Sequence, residues 1–272
     1  METTIDWKSF HAARRKTILD ELHRALRQVT EQDLRSWAIQ VPQIAVMVTL
    51  RRGGNAKAMV IGIGKFANEE IAMVLNAWRL GMTKQHLVKR GHKLVSSTHK
   101  GFLKAEAFGK DYCVNVAENP EREALVLVGA LVGFLVGSGG FDGDGGLPDL
   151  DLLGGIGRHR SLLTHTIAAG IIAETLVIST AQLARLIHSH LPTKHDPLWD
   201  AFARHESREV DALCKGLSFG LAYHFAVDST VDAGGSFAAF KGVAPATLDN
   251  YFQGANALVE AIDALKRNTK KI

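Results

Sequence analysis

Two aspartates two positions apart, Asp149 and Asp151, lie in a glycine-rich loop that is followed by His159 and His165. Farther along, His224, Asp228 and Asp232 recur at four-residue steps. On a helix that spacing gathers side chains into one stripe. On extended chain, alternate side chains share a face, so Asp149-Leu150-Asp151 is expected to turn both carboxylates to one side. Together these residues make a mixed nitrogen and oxygen ligand set, which suits zinc, manganese, iron or magnesium and shows no preference for a soft metal. The expected ligands of a divalent metal, zinc first, are Asp149, Asp151, His165, His224 and Asp228. His159 is expected as a further ligand or proton carrier. Beside it, Arg160 offers a planar, permanently charged fork for a phosphate oxygen, or for a ligand carboxylate. His159 and Arg160 are therefore the expected catalytic pair, and Thr164 is expected to anchor a ligand carboxylate.

Other chemistry fails in the same loop, residues 139–166. An EF-hand requires a glutamate where Leu153 stands, and the repeat-type calcium motif requires a glycine where Asp142 stands. No Gly-Lys-Ser/Thr follows the glycines, and the sequence ahead of them reads as helix rather than strand, which excludes a P-loop and a dinucleotide fingerprint. The two cysteines, Cys113 and Cys214, are about a hundred residues apart and make neither a disulfide framework nor a thiolate metal site. A second group, His188, His190, His195 and His205, surrounds the turn residues 191–197. It reads as solvated helix ends, with an accessory ligand as the alternative. His205 and Glu209 share a helix face.

Leu147-Pro148-Asp149-Leu150-Asp151, then His159-Arg160 with Thr164-His165-Thr166, then Gly220-x-x-x-His224-x-x-x-Asp228 resembles the YdjM-like metal-dependent hydrolases over roughly residues 124–235. That family is in turn similar to zinc-dependent phospholipase C and single-strand nucleases, which are helical and hydrolyse phosphoesters. The resemblance implies a helical domain, a metal held by the loop and by the later helix, and a phosphorylated or other anionic substrate.

The elements that must position these residues divide in two. Residues 5–39 read as helical from Ile18, Leu22, Leu26 and Val29 at three- and four-residue steps. Thr30 and Asp33 form a capping box, and Pro42 is expected to end this part. Residues 43–50 and 57–63 read as strands joined by a hairpin turn at Arg51-Arg52-Gly53-Gly54-Asn55. Asn68 then caps a helix with Glu69 and Glu70 in its first turn. The expected fold is thus α+β overall, with a small α+β unit over 1–115 and an all-helical metal-binding domain over 116–272. Within the latter, Asn119-Pro120-Glu121 starts a helix. Gly129, Gly133 and Gly137 form a stripe along it that lets another backbone approach closely. Helices are then expected over about 161–190, 197–232 and 246–267.

Hydrophobic residues make up 46% and charged residues 22% of the 272-residue chain, a globular balance that excludes disorder and collagen-like repeats. The apolar runs Ala124–Gly137 and Ile167–Ala184 are short or interrupted by polar residues. They read as buried helices of a soluble, cytoplasmic protein, with membrane association as the alternative. No apolar segment of secretory type appears at the N-terminus. The net charge of +4 permits an anionic partner. From Ile71 to Ala105 there is no acidic residue, and the basic residues there, Arg79 to Lys104, offer contact to nucleic acid or anionic lipid, or are simply a solvated face. Two functions follow from the residues: a hydrolase acting on a phosphoester through metal-activated water, or a non-enzymatic membrane-associated or partner-binding protein with a structural metal site.

Overall fold

The computed structural model describes residues 7–80, 117–140, 145–154, 161, 163–230 and 246–267. These form six α-helices: α1 (Trp7–Gln28), α2 (Glu31–Arg79), α3 (Pro120–Ser138), α4 (Ile167–Ser189), α5 (Pro197–Thr230) and α6 (Ala246–Lys266). A short 3-10 helix, Pro148–Gly154, lies between α3 and α4. The chain forms two compact units, Met1–Arg52 with Val128–Ile272, and Gly53–Leu127.

Among the described residues there is no strand, which overturns the expected β-hairpin and the α+β class. One helix, α2, runs through Pro42 and through both expected strands. Packing explains the outcome. A strand would have put Ile44, Val46 and Val48 on one face. Instead Ile44 and Val48, four apart, are buried, while Val46 is 58% exposed. Ile44 and Val48 pack with Ile178 of α4 and Cys214 of α5. Ahead of Pro42, the Trp37 indole donates to the Ser179 carbonyl at 2.8 Å. Tertiary contacts on both sides of the proline thus hold the helix across its one missing hydrogen bond.

Arg51 and Arg52, the expected turn residues, instead enter a buried ionic network. The Arg52 guanidinium is fully buried and pairs with Glu174 of α4 and Glu260 of α6. Arg51 pairs with Glu174 and, at 2.9 Å, with Asp263 of α6. From the end of α6, Arg267 joins Glu174 to Asp211 of α5 at 2.5 and 2.7 Å. Gly170 makes room for this network: a Cβ there would stand 2.6 Å from both the Arg52 guanidinium carbon and a Glu260 oxygen.

The glycine stripe does what its spacing suggests. Cβ atoms added at Gly133 and Gly137 of α3 would strike the backbone of α5 at Leu213 and Leu217. Those added at Gly216 and Gly220 of α5 would strike α3 at Ala130 and Phe134. The two backbones are therefore in direct contact where they cross. Beside this crossing, Ala169, Ala173, Leu217, Leu221, Phe225 and Ala257 close the main apolar cluster. Helix α4 is the one described helix long and apolar enough to cross a membrane, and 44% of its apolar window is buried.

Candidate metal centre

His165 lies just ahead of Thr166, the N-cap of α4. Its N–H donates to the Ser161 carbonyl at 2.9 Å, and the helix start behind it is capped twice. The Thr166 hydroxyl accepts from the Ala168 N–H at 3.1 Å, and the Asn256 side-chain oxygen of α6 accepts from the Ile167 N–H at 3.1 Å. These bonds satisfy donors that a helix start leaves open, and they fix where the imidazole begins. His224 and Asp228 lie one turn apart on α5 and are both buried, as is His165. The two rings meet edge to face with centroids 5.5 Å apart.

Gly145 and Gly146 take φ of +90° and +78°, a region glycine enters without steric cost. The Leu147 N–H then donates back to the Val136 carbonyl at 2.9 Å. Pro148 opens the 3-10 helix that carries both aspartates. With three residues per turn, positions 149 and 151 point about a third of a turn apart. The expectation that both carboxylates share one side, drawn from extended chain, therefore does not hold.

The two aspartates serve opposite edges of His165. One Asp149 oxygen accepts from the Gly145 N–H at 2.5 Å. The other stands 3.7 Å from His165 Nε2 and 3.9 Å from His224 Nε2. The Asp149, His165 and His224 ligand atoms all lie within 4.8 Å of one another; Asp228 Oδ2 adjoins them at 3.6 Å from each Nε2, steadied by the buried Gln253 amide, which donates to it at 3.4 Å. Asp151 instead faces the other ring nitrogen, with Oδ2 3.3 Å from His165 Nδ1. That oxygen also accepts from the Ser161 N–H and the Thr164 hydroxyl, each at 2.7 Å. Thr164 thus anchors a carboxylate as the sequence suggests, but Asp151 orients a ligand in this arrangement and does not face the cluster itself.

The hydrogen bonds decide the tautomers. His224 Nδ1 lies 3.3 Å from the Ser138 carbonyl, which only accepts, so Nδ1 carries the proton. The Asp151 carboxylate does the same for His165. Each ring then turns an Nε2 lone pair toward the Asp149 and Asp228 oxygens, the arrangement that orients metal-bound histidines. A tetrahedral ion with bonds of about 2.0 Å sets its ligand atoms about 3.3 Å apart. The separations of 3.6–3.9 Å are too long for hydrogen bonds and only a few tenths of an ångström wider than that edge. Among the described residues, His224 Nε2 is buried with no hydrogen-bond partner. Such an atom is costly unless something binds it. Two carboxylates and two neutral imidazoles carry the charge that one divalent cation balances, so the residues present fit such an ion.

Of the expected site residues, Asp149, His165, His224 and Asp228 come together and Asp151 supports them. His159 and Arg160 lie outside the described residues, as do Asp232, Asp142 and the basic stretch beyond Leu80. The Ser138 carbonyl, the Gly145 N–H and Gln253 were not foreseen. The first two are backbone groups with no signature in residue type, and Gln253 reaches the cluster from α6. No family model, no curated protein and no solved structure matches this chain.

Proposed function

We propose that the chain is a metal-dependent hydrolase acting on a phosphoester. The observation that supports this reading is the convergence of Asp149, His165, His224 and Asp228, with both imidazole tautomers set by hydrogen bonds on the far side of the ring. A divalent cation bound by such a set lowers the pKa of water to about 7 and polarises a phosphoryl oxygen. The four side chains hold the ion. Asp151, Thr164, Ser138 and Gln253 hold the side chains. Arg160, five residues before His165, is assigned to a phosphate oxygen of an anionic substrate, and His159 to proton transfer.

A second reading, a structural metal centre in a non-enzymatic protein, draws on the low exposure of the cluster, where the Asp149 and Asp228 side chains are only 11% and 10% exposed. Four protein ligands that close a tetrahedron leave no position for water. The test is elemental analysis of the intact chain and of its Asp149→Ala and His224→Ala variants, beside a screen of generic phosphoesters. The hydrolase reading expects a divalent metal in the intact chain, its loss from both variants, and metal-dependent turnover. Metal without turnover on any phosphoester supports the structural reading. Full metal content in both variants refutes the site.

A further inference from the structure

The turn between α4 and α5 carries a second convergence of ligand atoms. His188 lies in the last turn of α4, His195 in the connection, and Asp200 in the first turn of α5. Asp200 Oδ1 stands 2.9 Å from His195 Nε2 and 3.3 Å from His188 Nε2. The three ligand atoms all lie within 4.8 Å of one another, and the rings meet edge to face at 5.6 Å. His195 Nδ1 lies 2.7 Å from the Pro192 carbonyl. That carbonyl only accepts, so Nδ1 stays protonated; Nε2 donates to the Asp200 carboxylate in the free chain, and a cation binds there by displacing that proton. His190, grouped with these residues by sequence, turns instead toward Asp33, 3.4 Å away.

The connection that presents these groups is held from outside. Arg14 of α1 grips Asp196 with two bonds of 2.9 Å. Glu21 accepts from the Asp196 N–H at 3.1 Å and from the Trp199 indole at 3.0 Å. The Asp196 carboxylate in turn caps α5 by accepting from the Leu198 N–H at 2.9 Å. Preset ligands lose little freedom when an ion arrives.

We infer that His188, His195 and Asp200 form a second, solvent-facing site for a borderline divalent cation of the zinc class, distinct from the cluster at Asp149. The two edges, 2.9 and 3.3 Å, lie at or a few tenths of an ångström below the edge of about 3.3 Å expected around zinc. Asp200 is 53% exposed and the two histidines 27% and 16%, so water completes the coordination. Two imidazoles and one carboxylate select zinc, nickel or copper over magnesium or calcium. The site lies roughly 34 Å from His165 along α4, from the rise of about 1.5 Å per residue. Cation binding clips the end of α4 to the start of α5.

The test is equilibrium dialysis of the full chain against zinc at neutral pH, comparing intact protein with His195→Ala and with Asp200→Asn. Circular dichroism checks the fold. The intact chain is expected to take up one more zinc per chain than either variant, or to bind that equivalent at least tenfold more tightly. Asp200→Asn keeps the shape of the side chain and removes its charge, so the comparison stands even if His195→Ala disturbs the Pro192 turn. Equal stoichiometry and affinity in the intact chain and Asp200→Asn means that the cluster is an ion pair only, and overturns the inference. Loss of zinc from Asp149→Ala does not bear on it, because that variant leaves all three residues of the second site in place.

Discussion

Gly137→Ala tests whether the helix crossing sets the geometry of the candidate metal centre. A Cβ at Gly137 would stand 2.5 Å from the Leu217 carbonyl oxygen and 2.9 Å from the Leu221 nitrogen, where ordinary contact begins at 3.4 Å. Both obstacles are helix backbone, so α3 and α5 must part by about 0.9 Å. The next residue, Ser138, supplies the carbonyl that lies 3.3 Å from His224 Nδ1. Parting the helices along that line takes the contact to about 4.2 Å, beyond hydrogen-bonding range. Overpacking costs about 1–3 kcal/mol, and alanine returns up to about 1 kcal/mol of helix propensity. A net loss of about 0–3 kcal/mol in urea unfolding is expected. Losing the group that orients a metal-bound histidine weakens metal binding by about 10–100-fold, read by calorimetric titration with zinc. The control is Gly254→Ala on α6, where the nearest atom to an added Cβ is the Ser229 hydroxyl at 3.8 Å. It is expected to leave metal binding unchanged and stability equal or slightly higher. Wild-type metal affinity in Gly137→Ala would refute the claim that the crossing positions His224.

The remaining predictions address the fold, the ligand roles and the buried network. Replacing both Gly53 and Gly54 by alanine is expected to stabilise the chain by up to about 1 kcal/mol per site, because both lie in open space within α2; a fall in melting temperature would favour a turn there. Asp151→Asn is expected to weaken metal binding by about 10–100-fold, while Asp149→Asn abolishes it, and equal effects in a zinc titration would erase the distinction between orienting and binding roles. Burial pushes the Glu260 carboxyl up to about 7 despite its pairing with Arg52. The folded chain therefore holds a proton there that the unfolded chain has released, and the stability it contributes is lost as pH rises from about 4.5 through 7. The stability difference between the intact chain and Glu260→Gln is expected to shrink between pH 5 and pH 8 in urea unfolding, and parallel curves would contradict this sign.

Several elements were legible because their signals are local. The Thr30–Asp33 capping box forms reciprocally, with the Thr30 N–H donating to Asp33 at 2.9 Å and the Asp33 N–H to the Thr30 hydroxyl at 3.1 Å. The spacing of Gly129, Gly133 and Gly137 marks a close crossing wherever the helix finds a partner. His224 and Asp228 share a face because four residues make about one turn. What failed depended on distant partners. Gln43 to Leu50 fits both a period of two and a step of four, and only Ile178 and Cys214, far along the chain, select Ile44 with Val48. Arg51-Arg52-Gly53-Gly54 carries turn chemistry, yet buried acids more than 120 residues away hold both arginines in a helix. The divergence of Asp149 and Asp151 turns on whether seven residues coil or extend, which alternation of residue type does not decide.

The ionic network also sets an order in which the chain is completed. Arg52 meets Glu260 across 208 positions and Arg51 meets Asp263 across 212. At a synthesis rate of roughly 5–20 residues per second, about 10–40 s pass between the emergence of each arginine and its last partner. Until then the arginines of α2 lack Glu260 and Asp263 as counter-charges, although Ile178 and Cys214, the partners of Ile44 and Val48, have already been made. The final turns of α6 therefore supply the last charges that complete this network.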